Sequence, residues 1–164
     1  MQLSKNLSLR EAAKSMTAKR LGIDNSPADF DITNLKAIAE KIFQPVRDHF
    51  GVPIAVSSGF RSKALNKAIG GAKFSQHMVG EALDLDADVY GKVTNKEIFD
   101  YIKENLEFDQ IIWEFGDDEN PNWVHVSYKR DHTNKDLTAK SARNRNRALK
   151  AVRGLKGVHY EVIT

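Results

Sequence analysis

Cysteine is absent from the 164 residues. That excludes disulfides, cysteine nucleophiles and thiolate metal sites, so any transition-metal site has to be built from His, Asp or Glu. No apolar run approaches the roughly 18 residues a membrane span needs. The longest, such as Ile111-Ile112-Trp113, are a few residues long. The N-terminus, Met1-Gln-Leu-Ser-Lys-Asn-Leu-Ser, has no apolar stretch of the secretory kind. Internal repeats and low-complexity blocks are also missing. What is present is 41% hydrophobic and 29% charged residues, enough apolar material for a core in one domain of ordinary size with a tail.

The net charge of +3 conceals an asymmetry. Residues 1–128 hold 15 Lys and Arg against 19 Asp and Glu, a balance of −4. Residues 129–164 hold 10 against 3, a balance of +7. A segment so basic suits either a polyanionic partner or a solvated helix face. It carries no nucleic-acid motif and no interleaved aromatics, which argues against nucleic acid as the partner.

Ser8-Leu-Arg-Glu11 is a capping box that opens a short helix to about Thr17. Residues 20–33 read as a loop. Thr33 or Asn34 then caps a longer helix whose apolar positions, Leu35, Ile38, Ala39, Ile42, Phe43, Val46 and Phe50, follow a 3.6-residue period. Pro45 should kink it and Gly51 should end it. Strands are expected at 52–57 and 81–87, with a helix over 62–69 between them. A second capping box, Thr94-Asn-Lys-Glu97, opens a helix to about Asn105. Residues 108–115 and 123–129 are strands joined by the turn-rich Gly116-Asp-Asp-Glu-Asn-Pro-Asn122, an antiparallel hairpin. The basic segment is expected to be helical around 139–152 and to end in a short strand at 159–163. The fold class is α+β: a small antiparallel sheet flanked by helices.

Of the five histidines, His77 and His125 lie in unusual contexts. His77 ends a glycine-flanked polar loop and precedes Asp84 by seven residues, with Gly80 between to turn the chain. His125 sits mid-strand between two valines and points to the face opposite theirs. His77, Asp84 and His125 would supply two imidazoles and a carboxylate, the three-ligand set of a catalytic zinc site with a fourth position for water. A hydrogen-bonded strand histidine and a strand-edge aspartate are the plain alternatives. His49, His132 and His159 read as packing or solvent positions, with His132 close enough in sequence to support His125. Asp86 and Asp88 read as partners for a ligand histidine or as solvent-facing.

The runs Ser57-Ser-Gly-Phe-Arg61-Ser, Ser75-Gln-His77-x-x-Gly80-x-Ala82-x-Asp84 and Trp123-Val-His125-Val, in that order, resemble peptidase family M15 over about residues 9–128. This family comprises zinc D-alanyl-D-alanine carboxypeptidases and peptidoglycan endopeptidases, and the hedgehog signalling domain resembles it in fold. The likeness is to the small bacterial and phage branch, lysins included. It implies a hedgehog/D-Ala-D-Ala-peptidase-like domain over 1–130, with 131–164 as a basic extension packed on or tailing the same domain.

The resemblance implies one zinc ion held by His77, Asp84 and His125. It matches Arg61 to an arginine that faces the substrate's carboxylate or carbonyl, a role that a planar guanidinium suits. Ser75 would bind substrate or hold the loop, and Asn66, Gly70 and Gly80 would shape the backbone. A general base is also needed to take a proton from the water that zinc acidifies. The chain departs here from two family patterns, with Asn122 and Trp123 where a Glu or a His is found. Phe108-Asp-Gln-Ile-Ile-Trp-Glu114 is similar to the hedgehog stretch whose last Glu lies beside the zinc, so Glu114 takes the role. Asp117, Asp118 and Glu119 stand as reserves.

The implied function is zinc-dependent hydrolysis of peptide bonds in peptidoglycan stem peptides or cross-bridges, as a carboxypeptidase or an endopeptidase of the endolysin kind. The alternative is a zinc-stabilised binding module without turnover. Residues 129–156 would dock on an anionic wall polymer. The chain is expected to be made in the cytoplasm without a signal peptide, phage-encoded or bacterial, and to act at the cell wall.

Overall fold

The computed structural model describes residues 1–130 and 144–164. Strands β1 (Gln2–Ser4) and β2 (Leu7–Ser8) form a small antiparallel pair. Helices α1 (Leu9–Ala12), α2 (Met16–Leu21), α3 (Asp29–Ile38) and α4 (Gln44–Phe50) follow, then β3 (Ala55–Ser58), α5 (Lys63–Ala68), β4 (Ala82–Asp86), α6 (Asn95–Asn105), β5 (Gln110–Glu114), β6 (Trp123–Ser127), β7 (Arg147–Gly154) and β8 (Gly157–Val162). The last six strands make one sheet in the order β3-β4-β6-β5-β7-β8. Every neighbouring pair is antiparallel except β5 and β7, which run parallel. The α+β class stands as expected, but the main sheet is mixed and gains one unexpected strand, β7. Among the described residues no helix is long and apolar enough to cross a membrane.

Both capping boxes form: Ser8 Oγ accepts from the Glu11 N–H and Thr94 Oγ1 from the Glu97 N–H. Three expectations need correction. The first helix breaks after Ala12, and α2 restarts at Met16 with Ser15 as its cap. The supposed loop 20–33 is helical from Asp29, because Asp31 takes the free Ala28 N–H at 2.9 Å and two aspartates face the positive helix end. Residues 147–152, within the expected helix 139–152, are strand β7. Their Arg, Ala, Leu and Lys favour helix intrinsically, but the open edge of β5 offers a hydrogen-bonding ladder that outweighs propensity. Residues 144–146 are not helical either, while 139–143 and His132 fall outside the described residues.

The helix runs on past Pro45, after a π turn over Ala39–Phe43 in which the Gln44 N–H reaches back five residues to the Ala39 carbonyl. The widened turn sits just before the proline, which has no N–H to give. Gly51 ends α4 in the left-handed region, at φ 66°.

Alternation gives the sheet two faces. Leu83, Leu85, Ile111, Val124 and Val126 are fully buried against Leu35, Ile38, Ile42, Ile98 and Ile102 of the helices. Truncating any of these to Ala would cost about 2–5 kcal/mol. The opposite face carries Ile112, Leu149 and Ala151 in a separate small cluster under Phe115. The candidate side chains His125, Asp84 and Glu114 lie on this second face. In register across it run Asp84, His125, Ile112 and Leu149, and beside them Trp123, Glu114, Ala151 and Tyr160.

Candidate metal centre

Asp84 and His125 are direct partners across β4 and β6, so alternation puts both on the second face, with Val124 and Val126 buried behind, as the sequence pattern requires. His77 arrives from a 3-10 turn, Gln76–Val79. Two close approaches fix that turn. Gly80 has φ +73°, and a Cβ there would stand 2.4 Å from the Asp31 carbonyl oxygen of α3. Only glycine is comfortable in both respects. Asn34 of α3 also donates to the Val79 carbonyl at 2.8 Å.

The loop after β3 closes on the same turn. Gly59 lies so near α1 that a Cβ would meet the Ala12 oxygen at 2.1 Å. Its carbonyl faces His77 Nδ1 at 2.7 Å, and the Arg61 N–H donates to the His77 carbonyl at 3.1 Å. A carbonyl accepts only, so His77 carries its proton on Nδ1 and turns the lone pair of Nε2 inward.

That lone pair meets two other atoms. His77 Nε2 is 3.2 Å from Asp84 Oδ1 and 3.2 Å from His125 Nδ1, and these two are 3.0 Å apart. Ligand bonds of about 2.0–2.1 Å at tetrahedral angles would set neighbouring ligand atoms about 3.3 Å apart. Three acceptors on so small a triangle, two imidazole and one carboxylate, suit a borderline-soft divalent cation, zinc before the others. His77 and Asp84 are buried and His125 nearly so. Burial pushes the His77 pKa down, and the Asp84 charge only partly opposes this, so its imidazole is neutral, as a ligand must be. Burial pushes Asp84 up, but His77 and His125 outweigh it and hold the carboxyl well below its usual range.

Arg61 lies nearer the triangle than its expected role requires. Its Nη2 donates to Asp84 Oδ2 at 2.9 Å and its Nε to Ser58 Oγ at 2.9 Å. The guanidinium therefore orients the Asp84 carboxylate, the kind of supporting bond that would sharpen a metal site there, while also lining the cleft.

The cleft above this face has a volume of about 870 Å³, ample for a short peptide. Glu114, Ser75, Trp123 and Tyr160 line it with the triangle. Glu114 points from the end of β5 into the same space, one row from His125. Burial and, secondarily, the Asp84 charge raise its pKa to about 7, against the pull of His125 and Arg61. Phe115 directly after it has φ 55°, an uncommon conformation for a bulky residue and one that clusters at functional sites. Asp117, Asp118 and Glu119 do not line this cleft. Asp117 caps its own turn and Asp118 pairs with Lys150.

Asp86 and Asp88 bind neither histidine; they receive Asn95 at the start of α6. His49 stacks on Tyr101 at 4.0 Å. Two residues escaped the sequence reading. Asp109, fully buried, holds Arg145 in two bonds, Nε at 2.9 Å and Nη2 at 2.7 Å, with Lys129 at 3.7 Å and Gln76 at 3.1 Å. Its neighbour in the quoted run, Phe108, gave no hint of this. Tyr160, the other, lies beyond the matched motifs. Part of the basic segment's charge is thus matched within the chain, by buried Asp109 and exposed Asp118.

The family model for Peptidase M15 matches residues 5–127. No curated protein sequence matches.

Proposed function

Since this chain belongs to the M15 peptidase family, a family of metallopeptidases, we propose that it hydrolyses peptide bonds in peptidoglycan stem peptides or cross-bridges, with one zinc ion on His77, Asp84 and His125 and Glu114 as general base. The observation that carries this reading is the pairing of the triangle with a buried carboxyl in one cleft. A carboxyl tuned near neutral pH is suited to both taking and returning a proton.

Bound zinc would supply Lewis acidity toward a water and a scissile carbonyl. The chain supplies the rest. His77, fixed by Gly59, and Asp84, fixed by Arg61, hold the donor triangle without rearrangement. Glu114 accepts a proton from the attacking water on a carboxylate oxygen and passes it to the departing amine nitrogen. The half-buried guanidinium of Arg61 stabilises negative charge gathering on the substrate oxygen. Ser75, on the rim beside His77, hydrogen-bonds the substrate backbone.

Mass analysis of purified peptidoglycan digested with and without a chelator tests the reading. Chelator-sensitive loss of terminal D-alanine would identify a carboxypeptidase, and new internal amine termini an endopeptidase. Absence of any product from several wall types, with one zinc per chain, would refute it and leave a zinc-stabilised binding module.

A further inference from the structure

The family match ends at residue 127, yet the cleft does not. Strands β7 and β8 continue the site face beyond β5, and their Arg147, Leu149 and Tyr160 line the same cavity as the triangle and Glu114. The pairing is continuous: Glu114 is level with Ala151, and Ala151 with Tyr160. The intervening side chain is a buried alanine. Tyr160 is 54% exposed, so its ring is available to a ligand rather than consumed in the core. The phenol feels the charge of Glu114 as well as partial burial, which places the two groups on one stretch of the wall.

If Glu114 returns its proton to the departing amine, the residue that owns that amine lies at Glu114's end of the cleft. We propose that Tyr160 reads this leaving-side residue, the one C-terminal to the cleaved bond: the ring packs on its side chain and the phenolic O–H donates to its carbonyl or carboxylate oxygen. The inference rests on the peptidase reading above. It makes the β7–β8 hairpin a specificity element added to the family's common site.

The test uses the full zinc-loaded chain and two synthetic stem peptides that differ only in the leaving-side residue, D-alanine or glycine. One methyl against an aromatic wall is worth a preference of about 4-fold in kcat/KM. Tyr160→Ala should bring that ratio near unity, and Tyr160→Phe should raise KM with kcat little changed, both with unaltered zinc content and melting temperature. A ratio unchanged in Tyr160→Ala would overturn the proposal. So would a loss equal for both peptides. Calorimetric affinities for the same two peptides give the same comparison independently of turnover. A preference present in binding and erased by Tyr160→Ala, in a protein that cleaves neither peptide, would uphold Tyr160 and refute only the peptidase reading.

Discussion

Glu114→Gln separates chemistry from folding in one substitution. The side chain keeps its shape and loses its ability to ionise. In the wild type burial moves the carboxyl from 4.5 to about 7. A raised folded-state pKa means the protonated form is favoured. Its contribution to stability is full below about 4.5 and is lost as pH climbs to about 7, beyond which the ionised group is carried at a cost. At about 1.4 kcal/mol per tenfold, that move is worth about 3 kcal/mol. Residual access to water in the open cleft lowers this to about 2 kcal/mol. Glutamine avoids the cost. For a chain of this size 1 kcal/mol shifts Tm by about 2–4 °C. The metal-free variant should therefore melt about 4–8 °C above metal-free wild type at pH 8 and level with it at pH 4. Scanning calorimetry at the two pH values reads this directly. Zinc should narrow the gap, since a nearby cation favours the carboxylate. The same variant, loaded with zinc, should lose about 10²- to 10⁴-fold in kcat, the usual contribution of a general base. Wild-type hydrolysis would refute the base assignment. Equal melting at both pH values would refute the burial argument behind it.

His77→Ala and Asp84→Ala should each abolish stoichiometric zinc binding by elemental analysis and remove the rise in Tm that zinc gives the wild type, because binding to the folded state alone is stabilisation. Full zinc stoichiometry in both would refute the ligand set. Arg61→Ala frees Asp84 Oδ2 and should weaken zinc affinity about 10- to 100-fold in competition with a chromophoric chelator; unchanged affinity would assign the guanidinium to substrate alone. Arg145→Ala removes two bonds from the buried Asp109 carboxylate. It should cost about 2–3 kcal/mol in urea unfolding, and a cost below 0.5 kcal/mol would mean that Lys129 and Gln76 suffice.

The convergence of His77, Asp84 and His125 was legible because its spacing is dictated by local structure: Gly80 must turn the chain between His77 and Asp84, and the valines around His125 declare which way it faces. Glu114 was legible only through likeness to a longer run, since a glutamate between two aromatics has no period of its own. The role of Arg61 was half legible. Its arrival at the site followed from the motif, but its bond to Asp84 depends on the loop that Gly59 presses against α1, a contact between residues far apart in sequence. The strand β7 was illegible because its residues prefer helix and only the vacancy beside β5 decides otherwise. Tyr160 lay in the expected strand 159–163, but it lines the cleft only once β8 has followed β7 into the sheet.

The parallel pairing of β5 with β7 also bears on the order of events during synthesis. β6 follows β5 at once and covers one of its edges, but the other edge waits until residues 147–154 have left the ribosome. For that interval, a few seconds at ordinary elongation rates, the apolar Ile111 and Ile112 stand beside an unpaired backbone ladder, a template for pairing with another nascent chain. Non-local closure of this kind slows folding. Yield on expression should therefore depend on holdase chaperones more than the stability of the finished sheet would suggest, and shortening the stretch between β6 and β7 should relieve that dependence.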